Sequence, residues 1–120
     1  MIKIGPPSVT LLGSRARLSA DIDTGVLLST VWFEVDSQYA AFLSDHCSDP
    51  FVMLSLPLAL HEGTSIQCIA PVTERLHYQL EHYLIPALRP KDSRSVKIQA
   101  PLFSDQLTSQ GAVGTVLFGE

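Results

Sequence analysis

Four side chains that could line a small-molecule site follow one another along a predicted strand and the turn after it. Trp32, Glu34 and Asp36 alternate with apolar residues, and Tyr39 comes shortly afterwards. An aromatic plane beside carboxylates suits the wall of a pocket, where a few polar groups orient a mostly apolar contact. The alternative is that Trp32 packs beneath a helix while both acids are solvated. The residue types alone favour this second interpretation.

A second candidate site lies at the predicted start of the longest helix. Arg75 there could bind an anion or bridge to a partner, because helix N-termini attract negative charge. Glu74 also fits a simpler role, in which its carboxylate compensates the helix dipole. These two residues complete the candidate ligand-binding set, which comprises Trp32, Glu34, Asp36, Tyr39, Glu74 and Arg75.

Two other combinations carry metal-binding or nucleophilic groups. His77 and Glu81 are four residues apart on a predicted helix, so both could contact one metal ion. A polar pair on a solvated face is the preferred interpretation. Asp45-His46-Cys47 contains the residue types of thiol catalysis, but a base and a thiol must meet across the fold rather than along the chain. With no glycine-rich phosphate loop and no Gly-x-Ser-x-Gly motif, we predict no catalytic residue, no metal and no cofactor.

Composition narrows the class of protein. The chain has 120 residues, 46% of them hydrophobic and 17% charged, which is typical of one domain with its own core. A net charge of −4 and only eight scattered Lys and Arg residues argue against nucleic-acid binding. No apolar stretch is long enough to span a bilayer, and the N-terminus is unlike a signal peptide. We therefore predict a single cytoplasmic domain over residues 1–120, without a membrane or nucleic-acid partner.

Strand periodicity dominates the first third of the chain. Residues 15–22 and 26–35 alternate with a period of two, and Asp23-Thr24-Gly25 between them is a turn signal, so a β-hairpin is predicted. A further strand is predicted at Val9–Leu12. In the second hairpin strand, Leu27, Val31, Phe33 and Val35 share one face, and Leu28, Thr30, Trp32 and Glu34 share the other.

Two main helices are predicted to pack on this sheet. The first starts at Ser48-Asp49-Pro50 and ends at Glu62-Gly63, with Phe51, Leu54 and Leu58 on one face. The second runs from about Val72 to Leu84 or slightly beyond and is closed by Pro86 and Pro90. Its predicted buried stripe is Leu76, Leu80, Tyr83, Leu84 and Ala87, with Arg75, Gln79 and Glu81 outside. With strands at 64–69, 96–99 and 111–118, the fold class is α+β: a small mixed or antiparallel sheet with an N-terminal β-hairpin, packed by two main helices.

Five segments occur in an order that resembles a known family: Val31–Asp36, Asp49–Val52, Ala70–Leu76, Tyr83–Leu88 and Gly111–Thr115. Together they resemble the N-terminal domain of bacterial ATP pyrophosphatase (PP-loop) proteins, the adenine nucleotide alpha hydrolase-like group related to asparagine synthase. In that family the last strand leads into a Ser-Gly-Gly-x-Asp-Ser loop that binds the pyrophosphate of ATP. Here Val116–Glu120 follows instead, so the resemblance implies an accessory domain without the ATP chemistry.

Several functions remain open at this level. The first is a non-catalytic interaction domain that forms a homodimer or binds a partner protein or domain, because a detached accessory domain exposes apolar surface or a strand edge. The alternative is a small-molecule binder or small enzyme that uses Trp32, Glu34 and Asp36. A third is the accessory half of a split ATP-dependent enzyme.

Overall fold

The amino-terminal residues form one strand that is interrupted by a bulge. In the computed structural model, which describes residues 1–91 and 94–104, β1 (Ile2–Ile4) and β2 (Ser8–Leu12) both pair antiparallel with β3 (Arg15–Asp23). Ile4 lies opposite Ile22 and Ser8 opposite Ser19, so one extra residue is accommodated at Gly5-Pro6-Pro7. The Gly5 N–H keeps a 2.8 Å hydrogen bond to the Asp21 carbonyl.

The predicted hairpin is confirmed. β4 (Leu28–Asp36) pairs antiparallel with β3 along all nine of its residues. Gly25 takes a φ of 87° in the connecting turn, a left-handed conformation that glycine adopts without steric cost. A short 3₁₀ helix, Ser37–Phe42, follows β4 and packs against the same end of the hairpin.

Two parallel strands extend the sheet on its other side. β5 (Ile66–Cys68) pairs with β1, a short β6 (Val72–Thr73) follows it, and β7 (Ile98–Gln99) pairs with β5. A separate parallel pair joins β6 to β8 (Leu102–Phe103). The predicted α+β class with a mixed sheet is therefore confirmed, and residues 1–91 and 94–104 contribute six strands to the main sheet. The predicted strand at 111–118 lies outside the described residues.

The first long helix has the predicted ends but a different buried face. α1 (Asp49–Glu62) carries Pro50 in its first turn and ends at Gly63, which has a φ of 64°. Of the predicted face, only Phe51 is buried, while Leu54 is 48% exposed and Leu58 is also exposed. Residues 50–60 contain no charged side chain, so periodicity cannot show which side meets the sheet. The buried side consists of Phe51, Val52, Ser55, Leu56, Ala59 and Leu60.

The second long helix ends at Leu88, slightly beyond Leu84 as predicted. α2 (Glu74–Gln79), a π-helical turn at Leu80–Leu84 and α3 (Ile85–Leu88) form one helical run. Pro86 was predicted to close this helix but lies inside it. Because Pro86 lacks an N–H and its ring crowds the carbonyl four residues earlier, the backbone widens, and the Ile85 N–H bonds to Leu80, five residues back.

The side-chain pattern of this helical run corrects the predicted stripe. Leu80 is buried and Leu76 and Leu84 pack partly against the core, as predicted. Tyr83, however, is 64% exposed, and Ala87 is exposed as well. Glu81 was predicted to face solvent, but only 16% of its side chain is exposed, because it lies against β7.

One face of the sheet is covered and the other is open. Ile2, Ile4, Ile66 and Ile98 join the core with α1 and Leu80, while alternate residues such as Lys3 and Gln67 are exposed. We call the first the helical face and the second the open face. Within residues 1–91 and 94–104, no helix is long and apolar enough to cross a membrane.

Candidate interaction surface

The register of the hairpin brings Trp32, Glu34 and Asp36 together on the open face. Arg17 lies opposite Glu34, and Arg15 lies opposite Asp36. Glu34 accepts hydrogen bonds from Arg15 Nε at 3.0 Å and from Arg17 Nη2 at 2.9 Å. Asp36 accepts one from Arg15 Nη1 at 2.5 Å. The Arg17 guanidinium also stacks over the Trp32 ring, 4.2 Å from its centroid, so the five side chains form one network.

The electrostatics of this network favour its charged form. Hydrogen bonds from Arg17 and then Arg15 lower the pKa of Glu34, and the same contacts from Glu34 and Asp36 raise the pKa of Arg15. Both predicted acids are thus already paired, which the sequence interpretation missed. The two-residue turn at Gly25-Val26, closed by the Thr24–Leu27 hydrogen bond, sets the register that places each arginine opposite an acid.

The other predicted ligand residues lie elsewhere. Tyr39 is in the 3₁₀ helix and half exposed, whereas Glu74 and Arg75 are exposed on α2. α2 lies on the helical face, since Leu76 in it packs against the core, so Arg75 does not converge with Trp32 on one wall. Asp49 instead organises the start of α2, accepting hydrogen bonds from the Thr73 N–H at 3.0 Å and hydroxyl at 2.7 Å.

His77 and Glu81 bind the backbone of β7. Glu81 Oε1 accepts a 3.0 Å hydrogen bond from the Ile98 N–H, and His77 Nε2 lies 3.1 Å from the Ile98 carbonyl oxygen. Because a carbonyl only accepts, Nε2 carries the imidazole proton. The Lys97 carbonyl is used by β5, so the groups of Ile98 point to the outer edge of the sheet. These two side chains therefore replace a neighbouring strand along β7. Among the described residues, no group of three potential ligands could hold a metal ion.

In the part of the chain that the structure describes, the outer edge of β4 has no such cover. Residues directly opposite in an antiparallel pair alternate between hydrogen-bonded pairs and pairs whose backbone groups point away. Two bonds flanking the strands, from the Thr24 N–H to Leu27 and from the Ser37 N–H to Ser14, both identify the same set of bonded pairs. The residues left with outward N–H and C=O groups are Leu28, Thr30, Trp32, Glu34 and Asp36. We call these outward groups the β4 edge.

The β4 edge also lacks the features that usually prevent strands from associating. No proline, lysine or bulge interrupts the nine residues, and five of them are Val, Thr, Trp or Phe, which favour strands. Trp32 is 51% exposed and Leu28 and Phe33 are exposed too. Within the described part of the chain, β3 is the only strand that pairs with β4.

An apolar groove separates the two long helical segments. Met53 of α1 forms one wall, and Leu76, Leu80, Tyr83, Leu84 and Ala87 form the other, enclosing about 590 Å³. The π-helical turn supplies the middle of the second wall. The groove thus consists largely of the stripe that the sequence predicted to be buried.

Cys47 and Cys68, both within the described residues, are not joined by a disulfide. Burial raises the pKa of the Cys68 thiol to about 11, so this group stays protonated and unreactive at neutral pH. His46, which precedes Cys47, is largely exposed, with Asp45 3.5 Å from its Nδ1.

No family model, curated protein or solved structure matches the chain. The resemblance to the accessory domain of PP-loop ATP pyrophosphatases therefore stays a prediction, as does the split-enzyme alternative that follows from it. Gly111–Thr115, on which the missing ATP loop was argued, lies outside the described residues.

Proposed function

We propose that the chain is a non-catalytic interaction domain that self-associates through the β4 edge. The observation that carries the proposal is a nine-residue edge strand whose outward backbone groups have no partner in the described residues. Such an edge is a template for another strand, and addition of a strand is a recurrent mode of recognition. We place the domain in the cytoplasm, because a pair of cysteines that form no disulfide, Cys47 and Cys68, suits a reducing compartment.

The contrast between the two ends of the sheet supports this choice. At β7, Glu81 and His77 satisfy the outward groups of Ile98. At β4, side chains that could have been used in the same way are engaged elsewhere, since Glu34 and Asp36 bind Arg15 and Arg17. A buried or paired edge is protected against association, and β7 has this protection whereas β4 does not; β2 also pairs with β3 alone, but it has only five residues.

Light scattering over a wide concentration range tests the proposal, and we expect reversible dimerisation. Trp32→Lys places a charge in the middle of the β4 edge and should weaken the dimer at least tenfold. Val26→Lys is the matched control, because Val26 is 98% exposed at the hairpin tip and the change in net charge is identical. A wild-type chain that stays monomeric, or equal weakening by both variants, would contradict the proposal.

Small-molecule binding is the second candidate function, and the apolar groove favours it more than the open-face network does. The groove has a volume in the range of ligand pockets and a mostly apolar lining to which Gln79 adds a polar group, whereas Glu34 and Asp36 are occupied by arginines. The probe is the apolar dye 8-anilino-1-naphthalenesulfonate, followed by fluorescence. Ala87→Trp fills the groove and should abolish binding, while Ala41→Trp, exposed on the 3₁₀ helix, should not. Equal binding by the two variants would exclude this site.

A further inference from the structure

The backbone geometry of β4 defines how a second copy would fit. We infer that two copies pair their β4 strands antiparallel about a two-fold axis at Trp32 and so form one continuous sheet. This inference rests on the proposed self-association. A two-fold interface brings the same surface patch of each copy together, and an antiparallel strand pair has this symmetry. A parallel pair of identical strands does not.

Only some registers are compatible with the hydrogen bonds. Because the outward groups belong to the even-numbered residues from Leu28 to Asp36, each must oppose an even-numbered residue of the second copy. Among these registers, one overlaps the strands along all nine residues, with Trp32 opposite Trp32 of the second copy. It forms about ten interchain backbone hydrogen bonds, more than any shifted register, because shifting shortens the ladder.

The side chains that this register opposes are compatible on both faces. On the open face, Trp32 meets its own copy, Thr30 meets Glu34, and Leu28 meets Asp36. On the helical face, Val31 meets Phe33, an aromatic and β-branched pair of the kind that stabilises sheets. No acid lies opposite another acid, because both acids are near one end of β4 and antiparallel pairing separates them. Repulsion between carboxylates across the strand pair therefore does not oppose this arrangement.

The side chains of β4 on the helical face give an independent reason to extend the sheet. The β3 residues Ala16, Leu18 and Ala20 are buried, but their β4 neighbours Val31 and Phe33 are only partly covered or exposed. Phe33 does contact Phe51 of α1, with ring centroids 5.6 Å apart. A second β4 strand would place Val31 of each copy against Phe33 of the other, which reduces this exposed apolar surface.

Crosslinking single cysteines on the strand tests this register. The variants are Leu28→Cys, Trp32→Cys and Asp36→Cys, each in a Cys47→Ser background so that only buried Cys68 remains as another thiol. A short bifunctional maleimide is added, and covalent dimers are counted on a denaturing gel. Light scattering of each variant, run alongside, reports whether it still dimerises.

We expect Trp32→Cys to crosslink with itself, and Leu28→Cys to crosslink only when mixed with Asp36→Cys. In the inferred register two Leu28 positions are about 27 Å apart, beyond the reach of a short reagent. The inferred register is overturned, while the proposed function stands, if Leu28→Cys crosslinks with itself. The same conclusion follows if Leu28→Cys and Asp36→Cys both still dimerise but their mixture does not crosslink. A wild-type monomer at every concentration overturns both.

Discussion

Proline substitution at neighbouring positions of β4 tests the direction of its backbone groups. Thr30→Pro removes an N–H that points outward, whereas Val31→Pro removes one that bonds to Ala20 in β3. A proline inside a ladder removes one of its hydrogen bonds and is rarely found there, but an edge strand tolerates one whose N–H would face solvent. We therefore expect the two variants to differ greatly in stability although they are adjacent.

The magnitudes follow from what each side chain and N–H does. Thr30→Pro also loses the 2.6 Å hydrogen bond from the Thr30 hydroxyl to Asp21, which is exposed and worth about 1 kcal/mol at most. Val31→Pro leaves the Ala20 carbonyl without its backbone partner, which costs about 1–3 kcal/mol, and loses part of a packed side chain, so it should be about 2 kcal/mol less stable than Thr30→Pro. Thr30→Ala isolates the loss of the hydroxyl from the effect of the proline ring.

Urea denaturation followed by circular dichroism, at concentrations where the chain is monomeric, measures these differences. Light scattering at higher concentration should then show that Thr30→Ala dimerises and that Thr30→Pro does not. If Thr30→Pro were as destabilised as Val31→Pro, the assignment of outward groups would be wrong, and the inferred pairing would lose its basis.

Three further outcomes are expected. Glu34 has a lowered pKa in the folded state, so its stabilising effect is present above the ordinary glutamate pKa and is lost as the pH falls through the lower folded value. The difference in unfolding free energy between wild type and Glu34→Gln, measured by urea denaturation, should therefore shrink on acidification. A difference that does not change with pH would contradict the network. Glu81→Ala leaves the Ile98 N–H without its partner and should lower the free energy of unfolding by about 1–3 kcal/mol. Glu81→Gln, whose amide oxygen still accepts, should lower it less. Equal decreases in urea denaturation would show that the contact does not stabilise the fold. At pH 8, Cys68 should react with a thiol reagent about a hundredfold more slowly than an unperturbed cysteine until urea unfolds the chain, and rapid reaction in the native state would be inconsistent with its burial.

Local patterns predicted most of the elements but not how the faces are used. The alternation along β3 and β4 and the turn at Gly25 were sufficient for the hairpin, because both signals are local. The buried side of α1 was not predictable, since Leu54 and Leu58 are as apolar as the residues that face the sheet. Only the position of the sheet decides between them.

The candidate site shows the same division between local and long-range information. Trp32, Glu34 and Asp36 do share one face, as their spacing predicts. Their pairing with arginines depends on the register of β3. The role of Glu81 depends on Ile98, which is 17 residues further along the chain and reaches it through a loop whose path no local pattern predicts. Interactions of that separation are established by the topology rather than by periodicity.

The outer strands β7 and β4 differ in how their outward backbone groups are satisfied, which argues against nonspecific association as the explanation of the unpaired β4 edge. Glu81 and His77 must both reach Ile98, and a carboxylate with only 16% of its side chain exposed is costly unless it is hydrogen-bonded. Within the described residues, a fold that incurs this cost at β7 leaves five residues of β4 without outward backbone partners. On the open face, Arg15 and Arg17 of β3 neutralise Glu34 and Asp36 of β4. β2 also pairs with β3 alone, but over five residues, so the nine-residue β4 offers the longer ladder to a single neighbouring strand.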